Sequence, residues 1–263
     1  MSRTHGTKEF WLGALRPEIA AFRAAAAEAL ASDPAIGVPS CPGWTILDLV
    51  NHMSWVYDRF LSHISRGVTS DPGLPPISDG TPESHRPPAG EAIAFFDERA
   101  QRIVQTLDAL DPDMPAWNWA PQAKKVSFWQ RRGALETAVH RWDAQMAIAR
   151  AEPIEEKLAA DGVSEVLDTW LPAGGGRRKG PLDRFGVVHL LADDTGDEWF
   201  VRLRGPGVAL LDTDTILDQE GPETRVSAAG SASDLVLSLY GRVGFDVLEI
   251  AGDESLLASL RVG

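Results

Sequence analysis

The stretch RRGALETAVHRWD, residues 131 to 143, sets Glu136 and His140 four residues apart in a segment whose only helix-weakening residue is one glycine. At that spacing a carboxylate and an imidazole meet on one face of a helix. The face adjoins an apolar stripe of Phe128, Leu135, Val139, Trp142 and Met146, so both polar groups are carried toward a core. A buried carboxylate is costly unless something compensates its charge, and a divalent cation is one such compensator. A second imidazole is available on an earlier helix, where His52 falls on the face made by Leu49, Met53, Val56 and Phe60. His52, Glu136 and His140 together make the ligand set of a catalytic zinc site that keeps a fourth position open. Plainer readings stand beside this one. A histidine on an apolar face is more often satisfied by a backbone or side-chain partner, and Glu136 can pair with Arg132 one turn back for ~0.3–0.5 kcal/mol.

The 263 residues, 44% of them apolar, suffice for two modest domains. A net charge of -13 argues against a nucleic-acid binder, and no apolar run reaches the length of a membrane span or a signal peptide, so a cytoplasmic location is expected. The charge is uneven: residues 1–150 hold 15 Lys and Arg against 17 Asp and Glu, residues 151–263 hold 10 against 21. The single cysteine, Cys41, excludes an internal disulfide and a thiolate-built zinc site, leaving histidine and carboxylate as ligands.

Four helices are predicted to position these groups. The first runs from about Thr7 to Ala31. The second opens after SCPGW with Thr45 as N-cap and Asp48 at N3, a capping-box variant. Residues 65–90, rich in Pro, Gly and Ser, form a long connector, and a third helix follows from about Gly90 to Leu110. The fourth is expected to begin at SFWQ, with Ser127 and Gln130 as capping box, and to reach about Arg150. Such helices read as a bundle with a site in its core. Beyond Ala151 the pattern changes to a connecting helix (EEKLAADGVSEVLDTWL), a flexible PAGGGRRKG loop, and a hairpin of FGVVHLLAD and EWFVRLRG turning at DTGD. A strand ETRVSAAG, a helix capped by Ser231 or Ser233 and ended by Gly241, a strand DVLEIAG and a last helix DESLLASL complete the expected second domain. The domain limits are set at 1–150 and 151–263.

CPGWTILDLVNHM, followed about 80 residues later by RRGALETAVHRWDAQ, resembles the mycothiol-dependent maleylpyruvate isomerase family of DinB-like four-helix metalloproteins. AAGSASDLVLSLYGR and LEIAGDESLLASL resemble that family's C-terminal domain, so the likeness spans nearly the whole chain. The resemblance implies an α+β two-domain protein, a DinB-like four-helix bundle followed by a small α/β C-terminal domain. It implies His52, Glu136 and His140 as ligands of a divalent metal, usually Zn, and mycothiol as the thiol cofactor or cosubstrate in place of a protein cysteine. A free thiol of pKa ~8.5 is about 3% thiolate at pH 7, whereas coordination removes the proton. Thiolate addition to a cis enoyl diacid leaves a single bond that can rotate, and elimination returns the trans isomer. Where elimination does not follow, a thioether remains, so isomerase and S-transferase differ by a late step.

Other residues are weighed beside these. Arg242 is expected to bind an anionic group of substrate or thiol, the alternative being a cation at a helix C-terminus. Asp143, three residues past His140, orients a ligand or else pairs with Arg131 or Arg141. Trp117 and Trp119 are candidates for a pocket floor suited to the thiol's sugar, or packing residues; Trp44 is assigned to packing beneath a helix start. Cys41 is discounted as a nucleophile because no motif places a histidine beside it, and His5, His63, His85 and His189 lack ligand-like company. The expected partners are a small-molecule electrophile and a low-molecular-weight thiol, with no nucleic acid and no membrane, for a monomer or alternatively a dimer. A water-activating hydrolase and a non-enzymatic, metal-stabilised ligand-binding protein are the competing readings.

Overall fold

The computed structural model describes residues 6–73, 81–173, 184–205, 208–211 and 224–263. They fall into two compact units that divide between Glu152 and Pro153. No helix among the described residues is long and apolar enough to cross a membrane.

The first unit is four helices: α1 (Lys8–Ser32), α2 (Ile46–Ile64), α3 (Ala92–Ala109) and α4 (Val126–Ala147). Thr7 caps α1 by accepting from Phe10 N–H. Thr45 and Asp48 form the expected reciprocal capping box of α2, each side chain taking the other's backbone N–H. The chain reaches that cap through a tight turn in which Gly43 adopts φ +84°, a backbone state costly for a residue with a Cβ. α1 packs most extensively on α4, and α2 on α3. Leu15, Phe22, Leu49, Met53, Val56, Phe96, Ile103, Leu107, Leu135 and Ala138 are removed from water between the helices. Tyr57 of α2 and Thr137 of α4 join across this core at 2.8 Å. Because Thr137 already donates to the Gly133 carbonyl at 2.7 Å, Tyr57 is the donor.

The start and the character of α4 depart from expectation. It begins at Val126 with Lys125 at the N-cap and no side-chain cap, and it ends at Ala147. Gln130 does not reach back to Ser127; its Nε2 donates to the Leu107 carbonyl at 3.0 Å, joining α4 to the last turn of α3. Nor does α4 show one apolar stripe. It is buried on almost every side, burying Gln130, Arg131, Arg132, Thr137, His140, Arg141, Asp143 and Gln145 together with its apolar residues. Arg141 is satisfied by Glu18 of α1, Nε to Oε2 at 2.6 Å.

The second unit pairs helices with one five-stranded sheet, order β3-β2-β1-β4-β5: β1 (Phe185–Ala192), β2 (Glu198–Arg204), β3 (Val208–Leu211), β4 (Arg225–Gly230) and β5 (Glu249–Gly252). β1 and β2 make the predicted hairpin, but β1 and β4 run parallel and bring together strands distant in sequence. Val188, Leu190, Trp199, Val201, Val226 and Ala228 form the buried face, where Trp199 Nε1 donates to Ser164 Oγ of α5 (Glu156–Glu165) at 2.9 Å. α5 continues as a π-helical turn, Val166–Trp170, and packs on α6 (Ala232–Leu239). Ser231 is the N-cap of α6, and Gly241 at φ +69° ends it. The predicted last helix is a 3-10 helix, Glu254–Leu260, whose Leu257 and Leu260 repeat at the three-residue turn of that form and are both buried. The expected PAGGGRRKG loop lies mainly outside the described residues.

Candidate metal centre

The capping box fixes where α2 starts, and one and a half turns on His52 projects between the helices. α4, wedged in the bundle, presents Glu136 and His140 one turn apart. His52 and His140 are 8% and 7% exposed, and their rings lie 5.1 Å apart, centroid to centroid. Both rings turn Nε2 toward the same carboxylate oxygen, Glu136 Oε1, at 3.7 Å from His52 and 3.3 Å from His140. These three ligand atoms all lie within 4.8 Å of one another. The separations exceed an ordinary N–H···O contact of about 2.7–3.2 Å. The His140 separation equals the roughly 3.3 Å between neighbouring donors placed about 2.0–2.1 Å from a tetrahedral cation, and the His52 separation is 0.4 Å longer. Two imidazoles and one carboxylate brought this close form a group that could hold a divalent metal.

The remaining polar atoms of the three side chains account for that arrangement. Glu136 Oε2 is taken by the guanidinium of Arg132, one turn earlier on α4 and nearly inaccessible to water. The pairing weighed as an alternative role for Glu136 thus occurs, but inside the bundle, and it leaves Oε1 turned toward the histidines. Burial alone would push the Glu136 carboxyl up; Arg132 and the His140 and His52 rings outweigh it and hold the group well below the usual carboxylate range. On the far side of the His140 ring, Nδ1 lies 2.8 Å from Asp143 Oδ2. An ionised carboxylate only accepts, so Nδ1 carries a proton, and in the neutral ring the lone pair is then on Nε2. Burial depresses the His140 ring, while Asp143 and Glu136 outweigh it and raise the ring's proton affinity.

Asp143 is fully buried; besides His140 it accepts from Ser40 Oγ at 2.6 Å and Cys41 Sγ at 3.4 Å. Cys41 therefore does have a histidine nearby, and Cys41, His140 and Asp143 form a second close group of possible ligands. Trp44, assigned to packing, sets its ring edge-on to His52 at 4.9 Å, and Trp55 stands 6.3 Å away on the same ring. Sequence reasoning missed Arg132 as an inward partner and Ser40, Cys41 and Trp44 as neighbours of the site. The nearness of CPGW to a capped helix carrying His52 was the available signal for Trp44; nothing local pointed Ser40 or Cys41 at Asp143.

Trp117 and Trp119 sit with the first turns of α4. Trp117 accepts from Trp129 Nε1 at 2.9 Å, and Trp119 lies edge-on to Phe128 at 5.3 Å, about two turns from Glu136. His63 stacks on Trp129 at 5.1 Å, three turns along α2 from His52. His85 lies 3.4 Å from Asp58 and His189 2.8 Å from Glu198, apart from any other possible ligand set among the described residues. Arg242 belongs to the C-terminal unit, where its backbone N–H donates to the Leu237 carbonyl at the end of α6 and its guanidinium to the Tyr240 carbonyl at 3.1 Å.

Comparison with known families places this geometry in context. The model of the mycothiol maleylpyruvate isomerase N-terminal domain matches residues 15–145, and the MDMPI C-terminal domain matches residues 157–259. A crystal structure of the mycothiol-dependent maleylpyruvate isomerase superposes with a TM-score of 0.61 at 13% identity, covering 94% of this chain and 93% of that one. The crystal structure of that enzyme's H52A mutant superposes with a TM-score of 0.58 at 14% identity and the same coverage. At such identity the likeness is one of fold. No curated protein sequence matches the chain.

Proposed function

The chain belongs to the mycothiol maleylpyruvate isomerase family, and from that premise we propose that it is an enzyme using mycothiol, or a similar small thiol, on an electrophilic small molecule of the maleylpyruvate type. A divalent metal would be held by His52, Glu136 and His140, and zinc is the cation that two imidazoles and one carboxylate with an open position suit first. The observation that carries this reading is the convergence of both Nε2 atoms on Glu136 Oε1 at 3.3 and 3.7 Å. When bound, the cation would supply the positive charge that lets a thiol lose its proton near neutral pH.

The chain's own groups do the rest. Asp143 keeps the proton on His140 Nδ1 and so aims Nε2 into the site. Arg132 neutralises Glu136 Oε2 and leaves Oε1 facing the two histidines, where it would be the oxygen offered to a metal. Trp44 and Trp55 set their rings edge-on to His52 and wall that side of the ring. Sulfur addition to the cis double bond, rotation about the resulting single bond and expulsion of the thiol give the trans isomer with the thiol regenerated; holding sulfur against the acceptor is then the main work of the pocket. Trp119, as a face for the thiol's sugar, and Arg242, as a partner for an anionic group, complete the proposal.

The test is elemental analysis of the purified protein together with a thiol screen against cis enoyl diacids. About one equivalent of divalent metal and turnover that requires both metal and thiol are expected. Turnover without thiol, or a rate untouched by complete chelation, overturns the reading.

A further inference from the structure

The carboxylate of Asp143 takes donors on both of its oxygens. Oδ1 accepts from Ser40 Oγ at 2.6 Å, while Oδ2 accepts from His140 Nδ1 at 2.8 Å and from Cys41 Sγ at 3.4 Å. Ser40 and Cys41 come from the turn that precedes α2, over a hundred residues upstream of Asp143. That turn is itself fixed. Cys41 N–H donates to Val38 O and Trp44 N–H to Cys41 O, each at 3.0 Å; Val38 N–H returns to Trp44 O at 2.9 Å, and Gly37 and Thr45 form a bridge. Its last residue, Trp44, lies against the ring of His52. One turn thus reaches both histidines, His52 directly and His140 through Asp143.

Resting on the metal reading above, we propose that the turn at residues 38–44 is the outer brace of the centre, with Ser40 and Cys41 as positioning residues that lock Asp143 and, through it, the ring of His140. A carboxylate held at one oxygen can swing about its Cβ–Cγ bond. Donors on both oxygens remove that freedom, so the ring plane of His140 is set by the fold before any cation arrives. The ordering entropy is then met in folding and not in metal binding. Cys41 serves as an S–H donor, which is a different task from that of a nucleophile. The same distances argue against a second cation among Cys41, His140 and Asp143: 2.8 Å between Nδ1 and Oδ2 is a hydrogen bond, shorter than the roughly 3.3 Å between neighbouring donors on a tetrahedral metal.

The test uses the full chain as wild type and as Ser40→Ala/Cys41→Ala, Cys41→Ala and Cys41→Ser, stripped of metal. Co(II) affinity is measured by competition with a chromophoric chelator, the Co(II) d–d absorption reports ligand geometry, and the melting temperature of each metal-free protein is recorded. The double variant is expected to bind Co(II) roughly 10- to 100-fold more weakly, with a changed d–d band and a metal-free melting temperature within a few degrees of wild type. Cys41→Ser, which keeps a donor, recovers most of what Cys41→Ala loses. Unchanged affinity and spectrum in the double variant, or losses that track the melting temperature with serine no better than alanine, overturn the proposal. Wild-type protein that retains no Co(II) under these conditions instead overturns the metal reading on which it rests.

Discussion

Glu136 has two kinds of partner, a guanidinium on one oxygen and two imidazoles facing the other. Their removal has different consequences. His52→Ala, Glu136→Ala and His140→Ala each delete a proposed ligand, so each is expected to lose metal retention and thiol-dependent turnover while keeping the far-UV helical signal; activity in a metal-free variant would contradict the assignment. Arg132→Met keeps all three proposed ligands but strands a largely buried carboxylate, 16% exposed, which costs about 3 kcal/mol in the metal-free protein. Added Zn(II) partly takes over the role of the lost cation, so this variant should gain more melting temperature from metal than wild type does. An unchanged melting temperature for metal-free Arg132→Met would refute that account. The i, i+4 pairing of Glu136 and His140 and the inward face of His52 are legible from periodicity alone. That Arg132 shares the buried side is not, because a helix enclosed on all faces has no polar side from which to read direction.

Among the elements, α4 departs most from sequence expectation, and for one reason: its neighbours lie all round it. Ser127 and Gln130 have the spacing of a capping box, yet Gln130 is drawn away by the Leu107 carbonyl, a partner 23 residues distant. Gly133 sits mid-helix where a Cβ would meet Leu107 Cδ1 at 3.5 Å and Leu15 Cδ2 at 4.0 Å, both ordinary contacts. Gly133→Ala is therefore expected to stabilise the bundle by about 0.5–1 kcal/mol through the lost flexibility of the unfolded chain. Chemical denaturation decides this, and a decrease in stability would show that α1 and α3 leave no room there. Tyr57→Phe removes a buried donor to Thr137 and should cost about 1 kcal/mol, read in the same experiment.

At the scale of the whole molecule, acid sensitivity should arise partly at His63, remote from the metal centre. Burial between Trp117 and Trp129, with Arg59 and Arg66 nearby, lowers this ring to about 4 from its ordinary 6.5. The folded protein then binds fewer protons than the unfolded chain between these values. The stabilisation is complete above the unfolded pKa and is lost as pH falls toward 4. That component is of order 2 kcal/mol, allowing for partial solvation. His63→Phe, which keeps the aromatic packing, should flatten the stability profile between pH 4 and 6.5; an unchanged slope would place the acid sensitivity elsewhere.

Local chemistry determined which segments become helices, where Thr45 caps α2, where Gly241 ends α6, that β1 and β2 form a hairpin, and that His52, Glu136 and His140 face inward. Each of these follows from residues within a few positions of one another, where propensity, capping and periodicity act. The tertiary structure alone decided the parallel pairing of β1 with β4, the enclosure of α4, the seating of Arg132 on Glu136 and the approach of Ser40, Cys41 and Trp44 to the two histidines. These contacts join residues far apart in the chain, and their partners are selected by how buried faces pack and how buried polar groups find donors and acceptors, which no local window of sequence contains.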